Sequence, residues 1–226
     1  MTTICTICGG EEFGSMDVLW PALINEWQLA PHEVEYVNRQ QGRSCTGCRS
    51  NLRSIALAKA LQSVLGTCEP LLQLSTSENP TKILEINEAG TLTPALKRFP
   101  RHVLAKYPEV DIHRLPYADQ SFDIIVHSDT LEHIEDPVHA LTECRRVLRT
   151  GGAMCFTVPV IVGRLSRSRA GLEKSYHGNA QECGNDLVVQ TEFGADVWTY
   201  VLEAGFTQQT LTSVEYPAAL AITAWR

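Results

Sequence analysis

The sequence predicts an α/β fold in which a parallel sheet is preceded by a small helical metal-binding module, and three features carry that prediction. Phe122 to Val126 is a short run of branched apolar residues behind the turn-forming Asp119-Gln120-Ser121, as in a strand buried on both faces. After it, Asp136-Pro137 supplies an N-cap and a first-turn proline, and Ala140, Leu141, Cys144, Val147 and Leu148 share one helical face. Gly151-Gly152 closes that helix ahead of a second strand, Ala153 to Val158. Strand, helix and strand in this order become neighbouring parallel strands through a right-handed crossover. The third feature is a pair of Cys-x-x-Cys knuckles, Cys5-Thr6-Ile7-Cys8 and Cys45-Thr46-Gly47-Cys48.

Each knuckle can place two thiolates on one ion through a tight turn, which Gly9 and Gly47 ease. Four sulfur ligands suit zinc and close its coordination, so the expected site is structural, held by Cys5, Cys8, Cys45 and Cys48. His32 is an alternative ligand or a surface histidine. Cys68, Cys144, Cys155 and Cys183 have no such pairing and read as small core residues or incidental thiols. Helices are expected over about 17–29, with Trp20, Leu23, Ile24 and Trp27 on its apolar face, over 31–41, and over 50–65, the last packing on the main domain. The boundaries predicted are a zinc-binding helical module at 1–66, a linker at 67–80 and the main domain at 81–226. So small a module depends on its metal for much of its stability.

The chain has 226 residues, 44% apolar and 20% charged, as in ordinary globular proteins. Its first residues have neither a basic start nor an apolar signal core, and no run approaches a membrane span, so a cytoplasmic protein without a membrane partner is expected. A net charge of −7 argues weakly against a nucleic-acid partner held mainly through its phosphates, although a local basic patch could override the total. Oligomeric state is not legible.

Leu115-Pro116-Tyr117-x-Asp119-x-Ser121-Phe122-Asp123, then Leu131-Glu132-His133-Ile134, then Arg146-Val147-Leu148-Arg149-x-Gly151-Gly152 resemble the central signature of class I S-adenosylmethionine-dependent methyltransferases. The resemblance runs over roughly 81–226 and implies a Rossmann-like, mostly parallel sheet with an antiparallel final strand, placed here in the pair 207–214 and 218–225. It implies S-adenosylmethionine as cofactor, held at the carboxyl ends of the strands where the winding direction reverses. Lys82 to Asn87 is the first strand. The implied cofactor contacts are Glu85, Asn87 and Gly90 at its end, Tyr107, Asp111 and Ile112 beyond the second strand, and Ser128 beyond the fourth.

The chain departs from the family's pattern at two of these places. The loop Glu88-Ala89-Gly90-Thr91-Leu92, ahead of a helix expected over 93–99, has one glycine where a run is usual. The second strand, 102–107, ends in Lys106-Tyr107 where an acid usually takes the ribose hydroxyls, so Glu109 or a backbone group is expected to substitute. The short step from Tyr107 to Asp111 implies a lost or shortened crossover. Glu85 reads either as a cofactor ligand or as a carboxylate pairing with loop amides, and Asp111 as an adenine contact or a turn cap.

The methyl group is expected to project toward His127-Ser128-Asp129 and Glu132-His133. His133 is the first candidate base, or a packing or cofactor contact; Asp129 is a second, or a helix cap. Residues 160–190 read as a long insertion before a helix at 193–203. Its Arg164, Arg167 and Arg169 are either surface charge or a grip on an anionic acceptor, and its His177 is a further candidate base on a closing lid. The leading function is methyl transfer to an oxygen or nitrogen of a small molecule, with Arg43, Arg49 and Arg53 as possible acceptor contacts. Alternatives are carbon methylation of a nucleotide sugar, a cofactor-binding scaffold without transfer, and, least favoured, methylation of ribosomal RNA.

Overall fold

The computed structural model describes residues 3–176 and 187–226. Its centre is a six-stranded sheet built from β3 (Lys82–Ile86), β4 (Arg101–Ala105), β5 (Phe122–Ser128), β6 (Leu148–Thr157), β10 (Gln208–Val214) and β11 (Ala219–Trp225), in the spatial order β10-β11-β6-β5-β3-β4. β4, β3, β5 and β6 run parallel, and β11 is antiparallel to both its neighbours. This is the Rossmann-like methyltransferase arrangement that the sequence predicts. β4 is the edge strand, and the chain returns from it to β5 through a single turn at Ile112–Arg114. The shortened crossover expected after Tyr107 is therefore present.

In the register, Ile86 stands opposite both Ala105 and His127, which sets the residues after Asn87, Lys106 and Ser128 side by side at one end of the sheet. One face of the sheet is covered by α5 (Pro137–Val147) and α6 (Trp198–Glu203), the other by α3 (Leu52–Leu65). Asn51 caps α3 by accepting from the Ser54 amide, and Gly66 ends it with φ of +67°. Leu52, Ile55, Leu57, Ala60 and Leu61 are all fully buried, while Lys59 and Ser63 mark the exposed side of α3. One apolar cluster runs from Cys5 and Ile7 through α3 to Ala221 on β11.

The remaining elements differ in places from expectation. Helix α1 covers only Pro21–Glu26 and buries none of its residues, because no core lies against its apolar face. α2 (Pro31–Gly42) follows the expected span. Beyond β3 the helix α4 is a single turn, Thr93–Leu96, after a tighter turn at Gly90–Leu92; Phe99 instead lies in the core just before β4. The helix expected over 193–203 begins only at Trp198, because Thr191–Gly194 forms β9, with all four residues buried between β7 (Val160–Ile161) and β8 (Arg167–Ser168). Where described, the insertion is thus a small second sheet instead of a structureless loop. The antiparallel pair Phe13–Gly14 (β1) and Ser44–Cys45 (β2) joins the two knuckles. No helix among the described residues is long and apolar enough to cross a membrane.

His127 lies on the α5 face of β5, fully buried, stacked on Phe156 at 5.0 Å with neither ring nitrogen bonded. Burial lowers its pKa to about 3. The folded ring stays neutral while the unfolded one protonates below about pH 6.5, so acid favours unfolding. Each pH unit between those values should cost about 1.4 kcal/mol. Glu132 works in the opposite sense, because burial first, and the charge of Asp129 next, raise its pKa. The test is therefore differential: His127→Leu should flatten the loss of urea-unfolding stability between pH 6.5 and 4.5 by about 1 kcal/mol per pH unit or more. Parallel profiles would assign the acid loss to other groups.

Candidate active site

The two knuckles meet. Cys5 Sγ lies 3.5 Å from Cys48 Sγ and Cys8 Sγ 3.6 Å from Cys45 Sγ, and all four sulfurs fall within 4.8 Å of one another. Sulfurs at zinc's bond length would stand about 3.8 Å apart on a tetrahedron. The cluster therefore fits the ion by shape and donor set, and the spacing is far longer than a disulfide. His32 is not part of it. A Cβ on Gly10 would come 3.0 Å from Cys45 Sγ, so the close approach of the backbone needs a glycine there. From the cluster a short relay leads to the main domain: Cys48 Sγ lies 3.1 Å from Ser50 Oγ, whose hydroxyl would donate to a zinc-bound thiolate, and Thr91 Oγ1 donates to Ser50 Oγ at 2.7 Å.

Thr91 belongs to the loop after β3, where Glu85 is the organising side chain. Fully buried, it accepts from the Ala89 amide at 2.8 Å, from Thr93 Oγ1 and from His102 Nε2 at 2.7 Å. Burial alone would raise its pKa, but the bonds from His102, Thr93 and Ala89 prevail and lower it. Both carboxylate oxygens are thus engaged within the protein, as in the loop-pairing alternative. Glu85→Ala should strand these donors and destabilise the fold by about 3–5 kcal/mol, read from the urea midpoint. A cost under 1 kcal/mol would show that the loop holds itself.

The backbone adopts positive φ at Asn87 (57°), Glu88 (55°) and Gly90 (56°). The glycine-like conformation is therefore present without the glycines; asparagine tolerates it better than glutamate does. The space a side chain at Gly90 would fill is taken by Ser54 at the start of α3, whose Oγ would lie 2.7 Å from the added Cβ. At the next strand end, Lys106 Nζ meets Glu88 Oε1 at 3.1 Å, and the Tyr107 amide donates to Asn87 Oδ1 at 2.9 Å. Glu88, missed in the sequence, puts a half-exposed carboxylate beside Lys106, and its signal was an acid in a loop position normally given to glycine. Asp111 caps the next turn, accepting from the His113 amide and ring, an arrangement that lowers its pKa chiefly through the amide. Ile112 is buried there, and Ser128 shares a hydrogen bond of 2.8 Å with Thr157.

Beside these strand ends a cavity of about 270 Å³ opens between α1, α2 and β7. Asp129, His133 and Arg53 form its polar end, while Trp20, Leu23 and Val160 belong to its apolar wall. Asp129 has φ of +51° and caps no helix; its Oδ2 pairs with Arg53 Nη2 at 2.8 Å. Of the three arginines offered as acceptor contacts, Arg53 is the one that lines this cavity; Arg43 pairs with Glu215 at 2.9 Å. His133 Nδ1 lies 3.0 Å from the Val188 carbonyl, which can only accept, so this nitrogen carries the proton and Nε2 is the acceptor of the neutral ring. Burial lowers the His133 pKa and raises that of Glu132, whose Oε1 is 3.8 Å from Nε2; the two are neutral neighbours, not an ion pair.

The arginines of the insertion do not reach this cavity. Arg164 holds Glu33 with both nitrogens of its fork and the carbonyls of Trp27 and Gln28; Arg167 and Arg169 both hold Glu192. Their charges are spent tying the insertion to α2 and β9, so an anion grip by these three is not what the geometry offers. His177 and Cys183 lie outside the described residues.

Residues 65–156 match a family model described as a methyltransferase domain. A protein of Mycolicibacterium smegmatis named as a probable S-adenosylmethionine-dependent methyltransferase is 41% identical over 63 residues, 26% of this chain and 24% of that one. The demethylmenaquinone methyltransferase of Chlorobaculum parvum is 30% identical over 121 residues, 48% of this chain and 49% of its own length. An uncharacterized 37.1 kDa protein in a transposon of Streptomyces fradiae is 30% identical over 139 residues, 57% of this chain and 39% of that protein. The chain thus spans half or less of the length of these relatives.

Proposed function

We propose that the chain is an S-adenosylmethionine-dependent methyltransferase acting on an oxygen or nitrogen of a small molecule. One observation carries this reading: the loop after β3, the turn after β4 and the turn after β5 lie side by side at the sheet's carboxyl end, with a cavity at Asp129 and His133. The methyltransferase-domain match over 65–156 supports the cofactor, and the name of the Chlorobaculum relative is that of a small-molecule methyltransferase.

When bound, S-adenosylmethionine supplies an activated methyl group. Asn87 and Gly90 would hold its methionine half, and Glu88, beside Lys106, has the acceptor oxygens its ribose needs in place of the usual acid. Asp111, Tyr107 and Ile112 border the adenine end, and Ser128 the middle. His133 Nε2 accepts the acceptor's proton, and the apolar walls exclude water. The acidic net charge and a cavity enclosed by tryptophan and aliphatic side chains favour this reading over RNA. Four sulfurs at zinc-like spacing support a structural zinc.

Calorimetry with S-adenosylhomocysteine is expected to give one-site binding, accompanied by a rise in Tm. Glu88→Gln should weaken it several-fold and Glu109→Gln should not. No heat and no Tm shift at millimolar ligand would leave the scaffold reading in its place.

A further inference from the structure

The N-terminal module contributes more than a fold to the cavity. Helix α1 has an apolar face but no core to bury it in: none of its residues is buried, and Trp20 is 44% exposed. Leu23 of that face, with Trp20 before the helix and Trp27 after it, lines the cavity. A face kept apolar without a protein partner suits a ligand. The volume, about 270 Å³, lies at the small end of binding pockets and admits one or two rings, not a polymer.

The polar end is more selective. Arg53 is 93% buried, yet after its one bond to Asp129 its Nε and Nη1 have no partner among the described residues, and Asp129 Oδ1 has none there either. A guanidinium can only donate and an ionised carboxylate can only accept. The group that satisfies both at once must accept from Arg53 and donate to Asp129 or His133, which a hydroxyl does. A carboxylate or phosphate accepts only, and would face Asp129 with like charge. A sugar would bring several hydroxyls against walls that are mostly apolar. Gln40 Oε1, buried and also without a partner among the described residues, can take one further donor elsewhere on the ring.

We propose that this cavity binds a small, largely apolar ring compound through one acidic hydroxyl, a phenol or enol, and that this oxygen is the methyl acceptor. The inference rests on the methyltransferase reading and names its acceptor class. Arg53 holds the oxygen and stabilises its anionic form; Arg53 is thus a binding residue as well as the partner of Asp129. In the transfer the hydroxyl proton passes to His133 Nε2. The oxygen's electron pair forms the new bond to the methyl carbon as the carbon–sulfur bond breaks, and that bond's pair stays on sulfur as a neutral thioether. The imidazolium then releases its proton to water.

The test uses the full zinc-loaded chain and three probes of one shape: a naphthol, the matching naphthoic acid and naphthalene, read by quenching of tryptophan fluorescence. The naphthol should bind at least about tenfold tighter than either of the others. Arg53→Met should remove that preference while leaving S-adenosylhomocysteine affinity within about twofold, and Trp20→Ala, at an exposed position, should weaken all three probes. Tighter binding of the acid, or a naphthol preference that survives Arg53→Met, would overturn the proposal. Should Arg53→Met fail to fold, Trp20→Ala and the order of the probes on the native chain decide it. Failure of S-adenosylhomocysteine to bind the native chain would sink the methyltransferase reading; binding of it without naphthol binding would sink only the acceptor class.

Discussion

Removing the metal is expected to unfold the amino-terminal third of the chain and to abolish cofactor binding with it. The four cysteines close β1 and β2 into one unit, and Cys5, Ile7 and Cys45 belong to the same apolar cluster as Leu52 and Ile55 of α3. Loss of the cluster therefore loosens the helix that covers one face of the sheet. Structural zinc binds such knuckles with about 10–16 kcal/mol, more than the whole stability of a typical domain. The effect should reach the cofactor loop through named atoms, because Ser50 lies between Cys48 and Thr91, and Ser54 fills the space beside Gly90. A strong chelator, or Cys45→Ala, should lower Tm by more than about 10 °C and eliminate S-adenosylhomocysteine binding; added zinc should restore the chelated wild type. A Tm indifferent to chelation, with no zinc in the purified chain by elemental analysis, would count against the metal.

The second large effect is expected at His133. Replacing it with alanine removes a positioned base, which should lower kcat by about 10²–10⁴ while the affinity for S-adenosylhomocysteine stays unchanged. The pH profile gives an independent reading. Burial favours the neutral ring, so His133 stays a base below the ordinary histidine range, and kcat/KM should fall on the acid side only below about pH 6.5. The limb should vanish in His133→Ala. Asp129→Asn separates the two candidate bases: it frees Arg53 of its ion pair and should raise KM more than it lowers kcat. The opposite pattern would make Asp129 the base and His133 a packing group held by Val188.

The strands were legible because each is a short apolar run bounded by turn residues. Lys82–Ile86, Phe122–Ser128 and the terminal pair at Gln208–Val214 and Ala219–Trp225 fall within a few residues of their expected spans. The cluster of four cysteines was legible because each Cys-x-x-Cys knuckle presents two sulfurs on one turn. Other features depended on tertiary packing that no local pattern encodes. The helix expected from 193 starts later because Thr191–Gly194 pairs as a strand with β7 and β8. Arg164, Arg167 and Arg169 resembled an anion grip; their partners Glu33 and Glu192 are distant in sequence for the first and 25 and 23 residues away for the others. The apolar face of α1 was visible as a pattern, but only the structure reveals that it borders a cavity. Glu88 was not singled out, because Glu109 or a backbone group was expected beside Lys106; the pairing of Glu88 with Lys106 depends on the loop's fold and not on spacing.

The cofactor is expected to lie across the ends of three neighbouring strands, next to the Asp129–His133 cavity. Backbone amide chemical shifts recorded during a titration with S-adenosylhomocysteine test this most directly. The largest changes are expected at 87–91, 106–112 and 128–129, with smaller ones at Arg53 and Ser54. Changes confined to α6 and the far ends of β10 and β11, or none at saturating ligand, would contradict it.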